Sequence, residues 1–94
     1  MYKLEEIINT VVNDDCLNVM RDLPDRCVDL VLTDPPYGTT DNEWDTTIDF
    51  WKDLKRVCKT GSVIFSSQPY TTDLINSNRN EFRYHIIWNK KLGG

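Results

Sequence analysis

Val28-Asp29-Leu30-Val31-Leu32-Thr33-Asp34-Pro35-Pro36-Tyr37 is the stretch on which the reading of this chain turns. Its first six residues form a short, mostly apolar run, the pattern of a strand covered on both faces in a parallel sheet. Two prolines then end it, since neither can donate to a ladder. Gly38 follows, so the layout is a buried strand running into a loop where a sheet places its chemistry. At average residue usage, with Pro near 5%, Asp-Pro-Pro-Tyr arises by chance in very roughly one chain of this length in several thousand. A Pro-rich turn that only stops the strand explains the prolines. It does not explain the Asp and Tyr on either side.

Those two residue types suit one task, recognition of an exocyclic amino group on a flipped base. The lone pair of an adenine N6 or cytosine N4 is delocalised into the ring, so the amine is a poor nucleophile. A carboxylate accepting one N–H, with a backbone carbonyl accepting the other, draws the nitrogen toward tetrahedral geometry and frees the lone pair. Asp34 supplies the carboxylate and Pro35 the carbonyl. Pro35 and Pro36 fix φ at both positions and restrict the residue before each, so the acceptors are held before substrate arrives. Tyr37 offers a flat face, and aromatic stacking is worth roughly 1–3 kcal/mol per base. Flipping costs a few kcal/mol, much of which such a stack offsets.

Asp34-Pro35-Pro36-Tyr37 resembles the catalytic motif of amino-DNA methyltransferases. Asp14-Asp15-Cys16-Leu17, Leu23-Pro24-Asp25 and Val28-Asp29-Leu30 resemble the lead-in of the class in which the catalytic motif precedes the cofactor loop, the beta arrangement. Trp44-Asp45, Phe65-Ser66-Ser67-Gln68-Pro69-Tyr70 and Trp88-Asn89-Lys90 are similar to the same class, in its phage-type members above all. The resemblance implies transfer of a methyl group from S-adenosyl-L-methionine to adenine N6 in double-stranded DNA with one flipped base, without metal or covalent enzyme intermediate. Asp34, Pro35, Pro36 and Tyr37 would be the catalytic residues. Asp15 is a candidate contact for the adenine end of the cofactor, with a helix N-cap as its equal alternative. Asp14 stands where the family commonly has glycine, which leaves open which aspartate aligns. Cytosine N4 is the alternative target, adenine being favoured because N4 enzymes more often begin the motif with Ser. RNA or protein-glutamine methylation is a further enzyme reading, although those families usually begin it with Asn. An inactive remnant of such an enzyme is the non-enzyme reading.

The family also carries a Gly-rich cofactor loop. Gly38, Gly61, Gly93 and Gly94 are the only glycines, and no Gly-x-Gly occurs. Residues 1–94 are therefore expected to be the N-terminal portion of a methyltransferase catalytic domain, without the target-recognition region and the Gly-rich loop. The fold class expected is α/β, a partial, truncated doubly wound (Rossmann-like) methyltransferase fold. Such a portion should leave the strand at 28–33 with an exposed edge and a bare flank, and alone should bind the cofactor poorly and be inactive.

Periodicity places the elements. Residues 7–13 read as a short strand and 15–22 as a helix with Leu17 and Met20 inward. A helix is expected over 47–59 from Ile48, Phe50, Trp51, Leu54, Val57 and Cys58, with Gly61 as its stop and 62–66 as the next strand. Residues 71–78 read as a short helix, and 82–88 as a strand containing Tyr84, Ile86 and Trp88.

Charge is informative once divided. Residues 1–50 carry three basic and twelve acidic groups, net −9, and residues 51–94 eight basic and three acidic, net +5. The acidic half argues against that surface lying on phosphate. Arg79, Arg83, Lys90 and Lys91 could face a DNA backbone, or form an ordinary solvated face. Cys16, Cys27 and Cys58 lack metal-ligand spacing and read as reduced structural thiols. His85 reads as a satisfied or surface histidine. Trp44 is either a lid over the target pocket or a loop anchor. With no signal peptide and no long apolar span, a cytoplasmic enzyme off the membrane is expected, either within a restriction-modification system or as an orphan. A homodimer is admitted for the full-length protein.

Overall fold

In the computed structural model, residues 1–38 and 49–91 are described. The elements run α1 (Leu4–Ile7), α2 (Cys16–Asp22), β1 (Val28–Thr33), α3 (Trp51–Val57), β2 (Cys58–Ile64) and α4 (Tyr70–Ser77), then a 3-10 turn at Arg79–Glu81. Among the described residues the sheet has two strands, β1 and β2, paired in parallel. Leu30 lies beside Gly61, Leu32 beside Val63 and Thr33 beside Ile64, with a register irregularity between Val28 and Leu30. The ladder continues one step beyond the strands, where the Phe65 N–H donates to the Thr33 carbonyl at 2.9 Å. This small mixed architecture contains the parallel pair that the α/β expectation requires. The doubly wound arrangement is not seen in it.

Helix α3 feeds into β2 without a loop, because Val57 closes the helix and Cys58 opens the strand. Leu54 and Val57 point inward at helical spacing, and with Phe50, Leu23 and Tyr70 they form the core. Val57, at 1% exposure, is its centre. The opposite face of the sheet is largely open among the described residues. Leu30 and Leu32 are 58% and 65% exposed, and Val63 and Phe65 lie exposed beside them. The strand at 28–33 is thus placed where the sequence puts it, but it is covered on one face only.

Several other expectations are corrected. Residues 7–13 form no strand. Ile7 closes α1, Asn9 takes the left-handed conformation (φ 59), and Thr10 turns back on Ile7, its N–H donating at 3.1 Å and its hydroxyl at 2.5 Å. That local turn outcompetes the β propensity of Val11 and Val12. Gly61 does not stop a helix. It sits inside β2 on the open face, with nothing within 4 Å of the position a Cβ would take. The helix expected over 47–59 ends at Val57, and residues 47 and 48 lie outside the described residues. The strand expected at 62–66 runs from Cys58 to Ile64, and the helix expected at 71–78 from Tyr70 to Ser77. Residues 82–88 take no strand, and all are exposed; the apolar side chains there find no ladder partner. Trp88 instead tilts against Phe65 at a centroid distance of 6.0 Å, and the Lys90 ammonium lies 5.3 Å from the Trp88 ring.

Polar clamps join the elements around the small core. Arg56, on α3, reaches back to the C-terminal end of α2. Its guanidinium donates to the carbonyls of Met20 (2.5 Å) and Leu23 (2.6 Å) and to the Asp25 carboxylate (3.0 Å). Carbonyls at a helix end have no partner within the helix, and the planar fork of an arginine can satisfy two together. On the other side, Trp51 Nε1 donates to Ser77 Oγ at 2.7 Å, and Lys55 pairs with Glu81 at 3.3 Å. Arg56→Ala should lower the free energy of unfolding by about 2 kcal/mol, the scale of hydrogen bonds to a charged group. Arg56→Lys should recover only part of it. Urea denaturation checks both, and an Arg56→Ala chain as stable as the parent would remove the clamp from the account.

Candidate functional site

Parallel pairing sends the C-terminal ends of β1 and β2 to the same edge of the sheet, and the side chains of interest gather there. Asp34 follows β1 directly and is exposed, Pro35 is buried, and Pro36 and Tyr37 are half-buried. Gly38 takes φ 74, a conformation glycine enters without a Cβ penalty, as the chain leaves the motif. The Tyr37 hydroxyl donates to Asp34 Oδ1 at 2.6 Å, so the first and last residues of the motif hold each other. The rigid diproline between them limits how far either can wander.

The loop after β2 supplies the neighbour. Tyr70, at the start of α4, stacks on Tyr37 with ring centroids 5.0 Å apart and planes inclined by 21°. Offset stacking of this kind adds to the energy of simple burial. The loop itself is internally fastened. Thr71 Oγ1 donates to Ser66 Oγ at 2.9 Å, the Thr71 N–H to the Ser67 carbonyl at 3.1 Å, and Thr72 donates through N–H and hydroxyl to Gln68 Oε1 at 3.2 and 2.9 Å. Burial, then the bond to Asp34 and the charge of its carboxylate, push the Tyr37 phenol up to about 12. Burial alone raises Tyr70.

Asp15 is found at the N-cap of α2, its side chain accepting the Leu17 N–H at 2.9 Å. Asp14 is the more engaged of the two. It accepts the Tyr2 hydroxyl at 2.6 Å, the Asp15 N–H at 2.6 Å and the Asn18 amide at 3.2 Å. The Tyr2 hydroxyl, with the other two donors, holds the Asp14 carboxyl below the usual carboxylate range. Both aspartates therefore organise the entry to α2, one by capping and one by tying Tyr2 to it.

The remaining candidates scatter. All three thiols are free, Cys16 exposed and Cys27 and Cys58 half-buried. His85, Arg79, Arg83, Lys90 and Lys91 are exposed. Trp44 and Asp45 lie outside the described residues. Among the described residues no three metal-type side chains cluster, and no helix is long and apolar enough to cross a membrane. Tyr70 stands in the Phe65-Ser66-Ser67-Gln68-Pro69-Tyr70 stretch, but its residue type alone assigned it no role. Its signal was topological: two buried runs joined by a helix pair in parallel, so the residues just after each meet at one edge.

No protein-family model and no solved structure matches the chain. Curated proteins do match, among them three type II methyltransferases. The chain is 49% identical over 43 residues to M.MjaVI of Methanocaldococcus jannaschii, a stretch covering 44% of this chain and 21% of that protein. It is 27% identical over 63 residues to M.HinfI of Haemophilus influenzae, covering 50% and 18%. With M.BglII of Bacillus subtilis the identity is 50% over 31 residues, covering 33% and 9%. The chain thus spans about a fifth or less of the length of these relatives, and the homology is partial.

Neutral Tyr37 is favoured in the folded chain, so its stabilising effect is present in full below pH 10 and is lost as pH rises through about 12. The difference in denaturation midpoint between the parent and Tyr37→Phe should shrink across that window. A difference constant to pH 12 would mean that the phenol is not held as described.

Proposed function

We propose that this chain carries the catalytic motif of a DNA methyltransferase that acts on adenine N6, in the beta arrangement, within a doubly wound fold of which β1 and β2 are two strands. Partial homology to three type II methyltransferases supports the reaction class. The observation that carries the reading is local: the Asp34 carboxylate is exposed at the end of a parallel strand, pinned by the hydroxyl of a stacked tyrosine.

The chemistry follows from that geometry. With Oδ1 taken by Tyr37, Oδ2 is the oxygen that receives an N–H of the target amine. The Pro35 carbonyl is the second acceptor, on a backbone made rigid by Pro36. Two acceptors on one amine localise its lone pair, and their fixed placement means that little reorganisation is needed as charge develops. Stacking on Tyr37 keeps the extruded base in plane with both. S-adenosyl-L-methionine is the methyl donor that this reading implies. The described residues do not form a cradle for it: no Gly-x-Gly follows either strand, and Asp15 is the one residue carried forward as a contact, alongside its capping role. Double-stranded DNA is the proposed partner, bound without metal, in the cytoplasm. Cytosine N4 is the second reading, because the two amines share hydrogen-bonding geometry; Asp34 in place of Ser favours adenine.

Protein expressed from the complete reading frame that encodes this chain should transfer labelled methyl groups from S-adenosyl-L-methionine to duplex DNA and yield N6-methyladenine on nucleoside analysis. Asp34→Ala should lower kcat by about 10²–10³, the range for one preorganised polar group, with cofactor affinity unchanged. N4-methylcytosine as product would select the second reading. Near-normal turnover of Asp34→Ala would remove Asp34 from the chemistry.

A further inference from the structure

Tyr37 is held from outside its own loop. Tyr70 belongs to the segment after β2, is only 7% exposed, and is fastened through the Ser66, Ser67 and Gln68 hydrogen bonds to the start of α4. The Tyr37 hydroxyl sits on Asp34 Oδ1 for one direction of its side-chain axis, and the stack on Tyr70 is one support of that direction and of the ring plane. Building on the proposed function, we propose that Tyr70 is a positioning residue. Its ring backs Tyr37, keeping the Tyr37 hydroxyl on Oδ1 and Oδ2 turned to the amine, and it steadies the ring on which the extruded base stacks.

Several features agree with this role. The stack is near-parallel, so the aromatic face of Tyr70 meets Tyr37 rather than its edge. Tyr70 lies among the core residues, so its position is set by packing, whereas Asp34 is exposed and has to be held by hydrogen bonding. The phenol of Tyr37 is raised first by burial, part of which Tyr70 provides, and then by Asp34. Removal of the Tyr70 ring should therefore loosen both the ring and the carboxylate, while leaving Asp34 itself in the chain.

The test uses the full chain with its tyrosines labelled at the ring carbon bearing the hydroxyl, followed by NMR against pH. The Tyr37 signal is assigned by its loss in Tyr37→Phe. In the parent and in Tyr70→Phe, which keeps the stacking ring, Tyr37 should titrate near 12. In Tyr70→Leu, which keeps apolar bulk without a ring, the titration should fall toward the ordinary tyrosine value. Tyr70→Met makes the same comparison if Tyr70→Leu does not fold. Parent-like titration in the ringless variants overturns the proposal, because bulk alone would then hold Tyr37. A second arm adds a DNA duplex with 2-aminopurine at the target position to protein from the complete reading frame. The fluorescence rise on extrusion should persist in Tyr70→Phe and be lost in the ringless variant. A rise absent even in the parent contradicts the base-extrusion reading, while the titration still decides the part assigned to Tyr70.

Discussion

The parallel pairing of β1 with β2 is the constraint from which the rest of this structure follows. Parallel strands cannot be joined by a tight turn; the chain must cross back over the sheet before the second strand can begin. Here the crossover includes α3, which lays Leu54 and Val57 onto the core and passes directly into β2. One consequence is that both strands finish at the same edge. Asp34 through Tyr37 leave one strand there and the Tyr70 loop leaves the other, so two segments more than thirty positions apart can stack. An antiparallel hairpin would have put those segments at opposite ends.

Energetically the arrangement is lean. Among the described residues five apolar side chains are buried, and much of the coherence between elements comes from charged and polar clamps. Arg56 ties α3 to the end of α2, and Trp51 and Lys55 tie it to α4 and the turn beyond. The open face formed by Leu30, Leu32, Val63 and Phe65 is only partly covered among the described residues, and none of its four side chains is buried. The site lies on the better-packed side of this balance. Its aromatic pair rests on a core residue, and its carboxylate is held by a short hydrogen bond rather than by burial.

Much of this was legible in the residues. The strand at 28–33 was readable because six compatible residues end in two prolines, and local pattern and breaker agree. Helix α2 was readable from Asp15 at its start and Leu17 and Met20 at inward spacing. Two strands were misjudged for a common reason: β propensity is a statement about neighbours, and neither Val11-Val12 nor Tyr84-Trp88 finds one. Gly61 misled because glycine after a helix commonly marks a stop, yet here the chain passes from helix to strand without a turn. In the site, the position of Asp34 and Tyr37 just past the end of a strand was visible, but their mutual hydrogen bond was not. The stack of Tyr37 on Tyr70 depends on topology, which no local pattern encodes.

The claim on which all of this rests is that the ends of β1 and β2 converge, and nuclear Overhauser contacts between aromatic rings measure it directly. In the folded chain the ring protons of Tyr37 should show cross-peaks to those of Tyr70, as the 5.0 Å centroid separation requires. A well-dispersed spectrum in which both rings are assigned and no such cross-peak appears would contradict the convergence, and with it the assembly of Asp34, Tyr37 and Tyr70 into one site.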